Sequence, residues 1–318
     1  MSSHHHRLSE LEAIALLERA LSTGKPAGHV ELGIGDDAAV LRFGRERLVW
    51  TVDACVEGVH FDRRWLSLED LGWRALMAAA SDLAAMGATP VAALCQLALP
   101  KSVGRAELAQ LSRGQAAAAR AIDCPVIGGN ISRAPELSLV TTVLGRAKRP
   151  LLRSGARVGD RLILVGEVGR AALGLRLLQA GRRGRSPWAE AWRRPVALID
   201  HGRALAKTAH AAIDISDGLA GDAAHLGRAS RVRVVLEERA LCQTLDASFR
   251  RAALRIGASA LELALHGGED YALLCAVARC PRGARHIGRV ERGAGVWLEG
   301  DDGSRTRITR GGFDHLVR

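Results

Sequence analysis

The stretch "GIGDDAAV", residues 33–40, places two adjacent carboxylates between glycines and an apolar run. Asp36 and Asp37 repel each other, and no basic residue lies within four positions of either of them. Paired carboxylates beside an apolar strand are unfavourable unless a positive group binds to them. The segment therefore indicates a strand next to a cationic partner that is supplied from elsewhere.

Acidic residues recur in four other segments where an ordinary strand or helix would not carry them. Asp53 interrupts the strand pattern of "VWTVDACV", residues 49–56. Asp82 shares a helical face with small apolar residues, which points its side chain towards packing rather than solvent. The other two segments carry Asp214, Ser216 and Asp217 in "IDISDGL", and Glu269 and Asp270 in "GGEDYALL".

Each of these acids also has an ordinary structural interpretation. Taken singly, Asp217 is typical of a helix N-cap, Asp36 of an Asx-turn and Asp270 of a turn-stabilising residue. Taken together, acids beside glycines at the ends of apolar strands favour Mg²⁺, which takes carboxylate and phosphate oxygens. The sequence contains neither a Walker A loop nor a Rossmann fingerprint. A nucleotide would therefore be held by acids, glycine backbone and arginine.

The chain alternates strand and helix patterns, and the alternation restarts near residues 148–155. This predicts two mixed α/β domains, 1–148 and 149–318, with a basic loop over 182–194. Predicted helices cover 10–21, 67–88, 105–122, 171–180 and 197–211, and predicted strands cover 47–56, 90–100, 124–130 and 137–147. Ser67 and Asp70 form a capping pattern for the second helix, and Gly87 is its stop signal.

Charge and cysteine content restrict the partners and the compartment. The net charge is +11, and the basic residues are dispersed, so a solvated surface or an anionic small substrate is favoured over nucleic acid. The six cysteines form no CxxC pair, which predicts free thiols in a reducing cytoplasm. No apolar run reaches the about 18 residues that span a bilayer, and the N-terminus lacks a secretory h-region. We expect a cytoplasmic protein with no membrane partner.

In chain order, the sequence carries "GIGDDAAV", "TVDACVEGVHF", "SDLAAMGATP", "GGN", "RSGARVGD", "IDISDGLAGD" and "GGEDYALL". Together these motifs resemble the thiamine-monophosphate kinase family of the PurM-like ATP-binding superfamily, over nearly the whole chain. The resemblance implies transfer of the ATP γ-phosphoryl group to thiamine monophosphate, with Mg²⁺, giving thiamine diphosphate and ADP. It also implies a PurM-like two-domain α/β fold and a homodimer in which the N-terminal domains form a β-barrel.

The resemblance further implies roles for individual positions. The implied Mg²⁺ ligands are Asp37, Thr51, Asp53, Asp82, Asn130, Asp214 and Asp217. The implied ATP contacts are Gly129, Asn130, Arg153 and Ser216, and the implied substrate contacts are His60, Glu269 and Arg310. Among these, Asp53, Asp217 and Arg153 are the implied catalytic residues.

Four positions depart from the family pattern. The family has "GGDTT" where this chain has "GGNIS", so Asn130 and Ile131 replace Asp and Thr. Ala79 stands where Asn is usual, and Arg310 stands where an aromatic residue is usual. These departures leave two alternatives open: a divergent member that acts on another anionic substrate, and a catalytically impaired ATP-binding homologue. For the kinase, the acceptor oxygen is already anionic, so catalysis requires positioning and charge neutralisation rather than a strong base.

Overall fold

In the computed structural model, the chain folds into two β-sheets with helices between and around them. The structure describes residues 9–21, 28–182, 184 and 186–309. The first sheet has the strand order β1-β2-β3-β6-β4-β5. Its strands are β1 (Val30–Leu32), β2 (Ala39–Phe43), β3 (Glu46–Val56), β4 (Thr89–Leu99), β5 (Val126–Arg133) and β6 (Ser138–Ala147). All neighbours are antiparallel except β4 and β5, which are parallel.

The second sheet has the order β13-β12-β9-β11-β7-β10-β8 and takes all its strands from the C-terminal half. Its strands are β7 (Arg161–Val165), β8 (Ala209–Ile215), β9 (Arg233–Glu237), β10 (Ala272–Val277), β11 (Arg285–Glu291), β12 (Val296–Glu299) and β13 (Arg305–Ile308). The predicted boundary near 148–155 therefore falls in the segment between the last strand of one sheet and the first of the other.

The helices are placed along the chain as follows. They are α1 (Glu10–Leu21), α2 (Leu68–Ala85), α3 (Arg105–Ala121), α4 (Arg170–Gln179), α5 (Pro187–Arg193), α6 (Ile199–Leu205), α7 (Leu219–Ser230), α8 (Glu238–Thr244), α9 (Ala247–Leu254) and α10 (Ala260–His266). In the part of the chain that the structure describes, none of these helices combines the length and apolar character needed to cross a bilayer.

Helix α2 connects the two sheets, and its limits follow the predicted signals. The Ser67 hydroxyl oxygen accepts a hydrogen bond from the Asp70 backbone N–H at 3.1 Å, and the Asp70 carboxylate accepts one from the Ser67 backbone N–H, which closes a capping box. The helix ends before Gly87, whose φ of +63° suits a residue without a Cβ. Met77 and Leu83 of α2 lie in one core with residues of both sheets. Side chains near the end of α2 are therefore held between the two halves of the chain.

Two predictions about the second half were wrong. The helix predicted over 197–211 ends at Leu205, and the chain enters β8 at Ala209. Its alanines favour a helix, but pairing with β10 and burial of residues 211–215 override that preference. The segment expected to be a basic loop contains α5, which begins with Ser186 as N-cap and Pro187 in its first turn.

The mixed α/β class is confirmed, but among the described residues neither sheet closes into a barrel within one chain. The first sheet has open edges at β1 and β5. One face of it exposes Trp50, Val52 and Leu94, with 50%, 64% and 44% of their surfaces accessible. The barrel of a homodimer remains a prediction.

Candidate active site

Three carboxylates from distant parts of the chain converge beside α2. Asp37 precedes β2, Asp82 lies in the last turns of α2, and Asp214 lies on β8. One oxygen of each lies within 4.8 Å of the others. Because α2 and β8 pack together, this cluster joins the N-terminal and C-terminal halves of the chain.

Hydroxyl groups orient two of these carboxylates. The Thr51 hydroxyl on β3 donates a hydrogen bond to Asp82, and Ser81 Oγ donates one to Asp214 Oδ2 at 2.7 Å. Both hydroxyl groups are buried. The carboxylates are thus fixed by the same elements that form the core, as preorganised binding requires.

Arg153 is the cationic partner that the opening motif requires. Its Nε and Nη2 donate hydrogen bonds to Asp37 Oδ1 at 2.8 and 2.5 Å, and its backbone N–H donates to the Asp36 carboxylate. The second oxygen of Asp37, Oδ2, is buried and has no hydrogen-bond partner among the described residues. A buried carboxylate oxygen without a donor is costly, so Asp37 retains a free position for a cation.

Burial and crowding disfavour the ionised form of the clustered acids. Burial raises the pKa of Asp37 and of Asp82 well above the usual range, and the nearby charge of Asp214 raises both further. Burial also raises the pKa of Asp214. A cation among these groups would favour their ionised forms. The oxygen donors, the unpartnered Asp37 oxygen and the crowding therefore fit Mg²⁺, with Asp37, Asp82 and Asp214 as the holding residues.

A cavity of about 740 Å³ opens beside this cluster. Four of the predicted acidic ligands line it, namely Asp53, Asp82, Asp214 and Asp217. Three further predicted contacts line it as well, namely His60, Ser216 and Glu269. Its volume is typical of small-molecule sites. Most of the residues predicted from sequence thus lie around one cavity.

Asp217 is held at the cavity by a loop, and it is not the N-cap of α7. The N-cap is Gly218, whose φ of +115° brings its backbone close to His266. The Asp222 carboxylate accepts hydrogen bonds from the backbone N–H groups of Asp217 and Gly218, at 3.2 and 3.1 Å. Burial, and then the charge of Glu10, raises the pKa of Asp217 to about 7. The structural interpretation of Asp217 as a cap was therefore wrong.

Asp270 has a structural role, but it caps a distant helix rather than stabilising a turn. Its carboxylate accepts hydrogen bonds from the backbone N–H groups of Gly169 and Ala171, at 2.5 and 2.9 Å. These donors lie at the start of α4, where N–H groups lack partners within the helix. Asp270 thus fixes the start of α4, the helix that forms part of the cavity wall.

Glu269 is bound to two residues that the sequence interpretation missed. The buried guanidinium of Arg74 on α2 forms an ion pair with it, and Trp192 Nε1 donates to its Oε2 at 2.7 Å. The Arg74 guanidinium also lies 4.9 Å from the Trp192 ring centroid. Arg74 shares the apolar face of α2 that carries Leu71 and Ala78, so the argument that selected Asp82 would have selected Arg74 too.

Some predicted residues are not brought to this cavity. Gly129 and Asn130 lie on β5, an edge strand, and are exposed. The register aligns Gly129 with Cys95 on β4, and two strands separate β5 from Asp53 on β3. Neither residue lines the cavity of a single chain, so their contact with ATP, and the Mg²⁺ ligation by Asn130, remain predictions. Ile131 is exposed on the same strand, Ala79 is buried in α2, and Arg310 lies outside the described residues.

Comparison with known proteins shows to which family the chain belongs. Residues 35–147 match the family described as "AIR synthase related protein, N-terminal domain". The thiamine-monophosphate kinase of Aquifex aeolicus (strain VF5) is 34% identical over 275 residues, which cover 84% of this chain and 89% of that protein. The enzyme of that name from Mycobacterium tuberculosis (strain ATCC 25618 / H37Rv) is 36% identical over 303 residues, covering 93% and 90%. The chain belongs to the thiamine-monophosphate kinase family. The predicted resemblance is therefore confirmed.

Comparison with solved structures shows that the fold of the chain is also similar to that of known proteins. "AaThiL complexed with AMPPCP and TMP" has a TM-score of 0.89 at 32% identity and covers 99% of both chains. The thiamine-monophosphate kinase of Stenotrophomonas maltophilia K279a has a TM-score of 0.75 at 32% identity, covering 94% of this chain and 98% of that one. A HypE-HypF complex shares the fold at 18% identity, with a TM-score of 0.73.

Proposed function

We propose that this member of the family transfers the γ-phosphoryl group of ATP to thiamine monophosphate, giving thiamine diphosphate and ADP, and that it requires Mg²⁺. The observation that carries the proposal is the convergence of Asp37, Asp82 and Asp214 beside a cavity lined by the other predicted acids. The solved structure of a relative complexed with AMPPCP and TMP supports the assignment of ATP and thiamine monophosphate as the two ligands.

The residues of the chain act by holding and positioning. Asp37, Asp82 and Asp214 would bind the cation, with Asp53 and Asp217 at the cavity surface. When bound, Mg²⁺ supplies positive charge against the phosphate oxygens. The acceptor phosphate oxygen is anionic at pH 7 and needs no strong base, so we propose direct in-line transfer without a phosphoenzyme.

Arg153 has a different proposed role from the one that the sequence suggested. The resemblance implied that its charge offsets the triphosphate. In the structure, Nε and Nη2 of its guanidinium donate hydrogen bonds to Asp37, and its backbone N–H donates to Asp36. We propose that Arg153 orients Asp37 so that Oδ2 faces the cation.

An acceptor screen tests the proposed function. ADP release is measured with ATP and Mg²⁺, with and without thiamine monophosphate, and with other phosphate monoesters. We expect turnover that requires both Mg²⁺ and thiamine monophosphate. Turnover with a different phosphate ester alone would indicate a divergent substrate, and ATP binding without turnover would indicate a non-catalytic homologue. Either result would overturn the proposal.

We also propose that the chain forms a homodimer through the outer face of the first sheet. The register aligns Val52 with Thr142 and Thr142 with Leu94, so these side chains share one face. The apolar members of that face, together with Trp50, are exposed in a single chain. Contiguous apolar surface of this kind marks protein interfaces.

Val52→Glu is expected to convert the dimer into a monomer. A carboxylate placed in an apolar interface loses its hydration, so dimer affinity should fall by at least about 100-fold. Sedimentation velocity over a concentration series measures this shift. Val158→Glu is the matched control, because Val158 is an exposed valine in the loop before β7. A wild-type protein that sediments as a monomer would contradict the proposal.

We propose further that residues 1–148 and 149–318 act as two domains, each built on one of the sheets, and that the protein works in the cytoplasm. All six cysteines are free thiols. Free thiols persist in a reducing compartment, which supports this location.

A further inference from the structure

The three arginines that line the cavity differ in their partners. Arg64 is bound to Asp62 by several hydrogen bonds, including Nη2 to Oδ2 at 2.5 Å. Arg74 is buried and paired with Glu269. For Arg176, no carboxylate of the described residues lies within the 4.0 Å of an ion pair. Its charge is therefore available for a ligand.

Helix α4 presents Arg176 to the cavity from a fixed position. Ala172, Leu175, Arg176 and Gln179 line the cavity and follow the helical spacing of a single face. The start of α4 is held by the Asp270 carboxylate. Arg176 is itself exposed, so its side chain is accessible from the cavity and is not buried in the core.

We propose that Arg176 binds the phosphate group of the acceptor and selects for a phosphorylated acceptor. This inference rests on the proposed function, in which two anionic ligands meet in one cavity. The donor phosphates belong beside the carboxylate cluster, where the cation would be held. Of the three arginines that line this same cavity, Arg176 is the one without an acidic partner among the described residues, so its guanidinium is the one left to bind the acceptor phosphate. A guanidinium pairs with phosphate through two parallel hydrogen bonds.

Steady-state kinetics of Arg176→Met test this role. We expect the KM for thiamine monophosphate to rise by about 10- to 100-fold, which is the usual loss for a charge-assisted hydrogen bond. The KM for ATP should stay within about twofold. Arg176→Lys keeps the charge without the planar fork, so its KM should be intermediate. Arg182→Met carries the same charge change at an exposed position that does not line the cavity, and it should behave as wild type.

Unphosphorylated thiamine separates phosphate recognition from a structural effect. As a competitive inhibitor it lacks the phosphate, so its inhibition constant should be the same for wild type and for Arg176→Met. An equal rise for thiamine and thiamine monophosphate, a rise in the KM for ATP alone, or no change in either KM would each overturn the inference. These outcomes require an active wild-type enzyme. A wild type that transfers nothing to thiamine monophosphate would instead refute the proposed function and, with it, this role of Arg176.

Discussion

Asp53→Asn is expected to lower kcat/KM for phosphoryl transfer on the order of 1,000-fold, the scale found when a charge-stabilising group is removed from an active site. Asp53 lines the cavity on β3, and its charge is felt by the buried Asp82 and Asp214. Asparagine keeps the shape and the Oδ1 acceptor that receives the Ala54 N–H at 2.7 Å. The substitution therefore removes charge with little change in packing. Initial rates over a range of Mg²⁺ concentrations measure the effect.

Asp62→Asn is the control for this experiment. Asp62 also lines the cavity, but it is bound to the exposed Arg64 and lies outside the carboxylate cluster. Its loss should change kcat/KM by no more than about threefold, as for an exposed ion pair. Wild-type protein should also show a rise in melting temperature with added Mg²⁺, because a ligand stabilises the state that binds it. Wild-type rates for Asp53→Asn at every Mg²⁺ concentration would exclude Asp53 from the mechanism.

The parts of this site that the sequence predicted are those that carry a local signal. Asp82 could be predicted because its carboxylate lies on the apolar face of a helix whose capping pattern is complete. Asp53 could be predicted because it interrupts the apolar pattern of a strand. The structure contains that strand as β3, residues 46–56. Such signals depend only on periodicity and on near neighbours, so one sequence suffices to find them.

The partners of these residues could not be predicted, because they lie far away in the chain. Asp37 is bound by Arg153, 116 residues later, and Arg74 is bound to Glu269, 195 residues later. No periodicity or spacing connects such positions. The packing of α2 between the two sheets brings them together, and that packing is a property of the whole fold.

Asp217 and Asp270 show why local chemistry alone is ambiguous. Each lies next to a glycine or within two residues of one, and each is near the start of a helix in the fold. Asp270 caps the distant helix α4. Asp217 instead lies at the cavity, and the Asp222 carboxylate accepts the hydrogen bond from the backbone N–H of its loop. The same residue type thus has two roles, decided by which backbone N–H groups the tertiary structure places beside it.

Loss of the buried Arg74 guanidinium is expected to have a large effect on stability. Arg74→Met is expected to lower the free energy of unfolding by about 2–3 kcal/mol, because it removes a charge-assisted hydrogen bond of a buried guanidinium and leaves the partly exposed Glu269 carboxylate without its cationic partner. The Arg74 side chain is 2% exposed and that of Glu269 is 29% exposed. The variant also loses the bond from Arg74 to the Trp192 carbonyl and the cation–π contact with its ring. Urea unfolding followed by tryptophan fluorescence measures the loss.

A matched ion pair and a double-mutant cycle isolate the cause. Arg113→Met breaks the pair between Arg113 and Glu69, whose side chains are 60% and 42% exposed, and should cost less than about 1 kcal/mol. Adding Glu269→Gln to Arg74→Met should recover part of the loss, because the uncompensated carboxylate is then neutral. Purely additive costs would mean that packing rather than charge stabilises this contact.

Glu269 has a φ of +67°, a strained conformation that persists only when its surroundings fix it. Loss of Arg74 should therefore also release Glu269 from the cavity wall and reduce catalysis in the folded fraction.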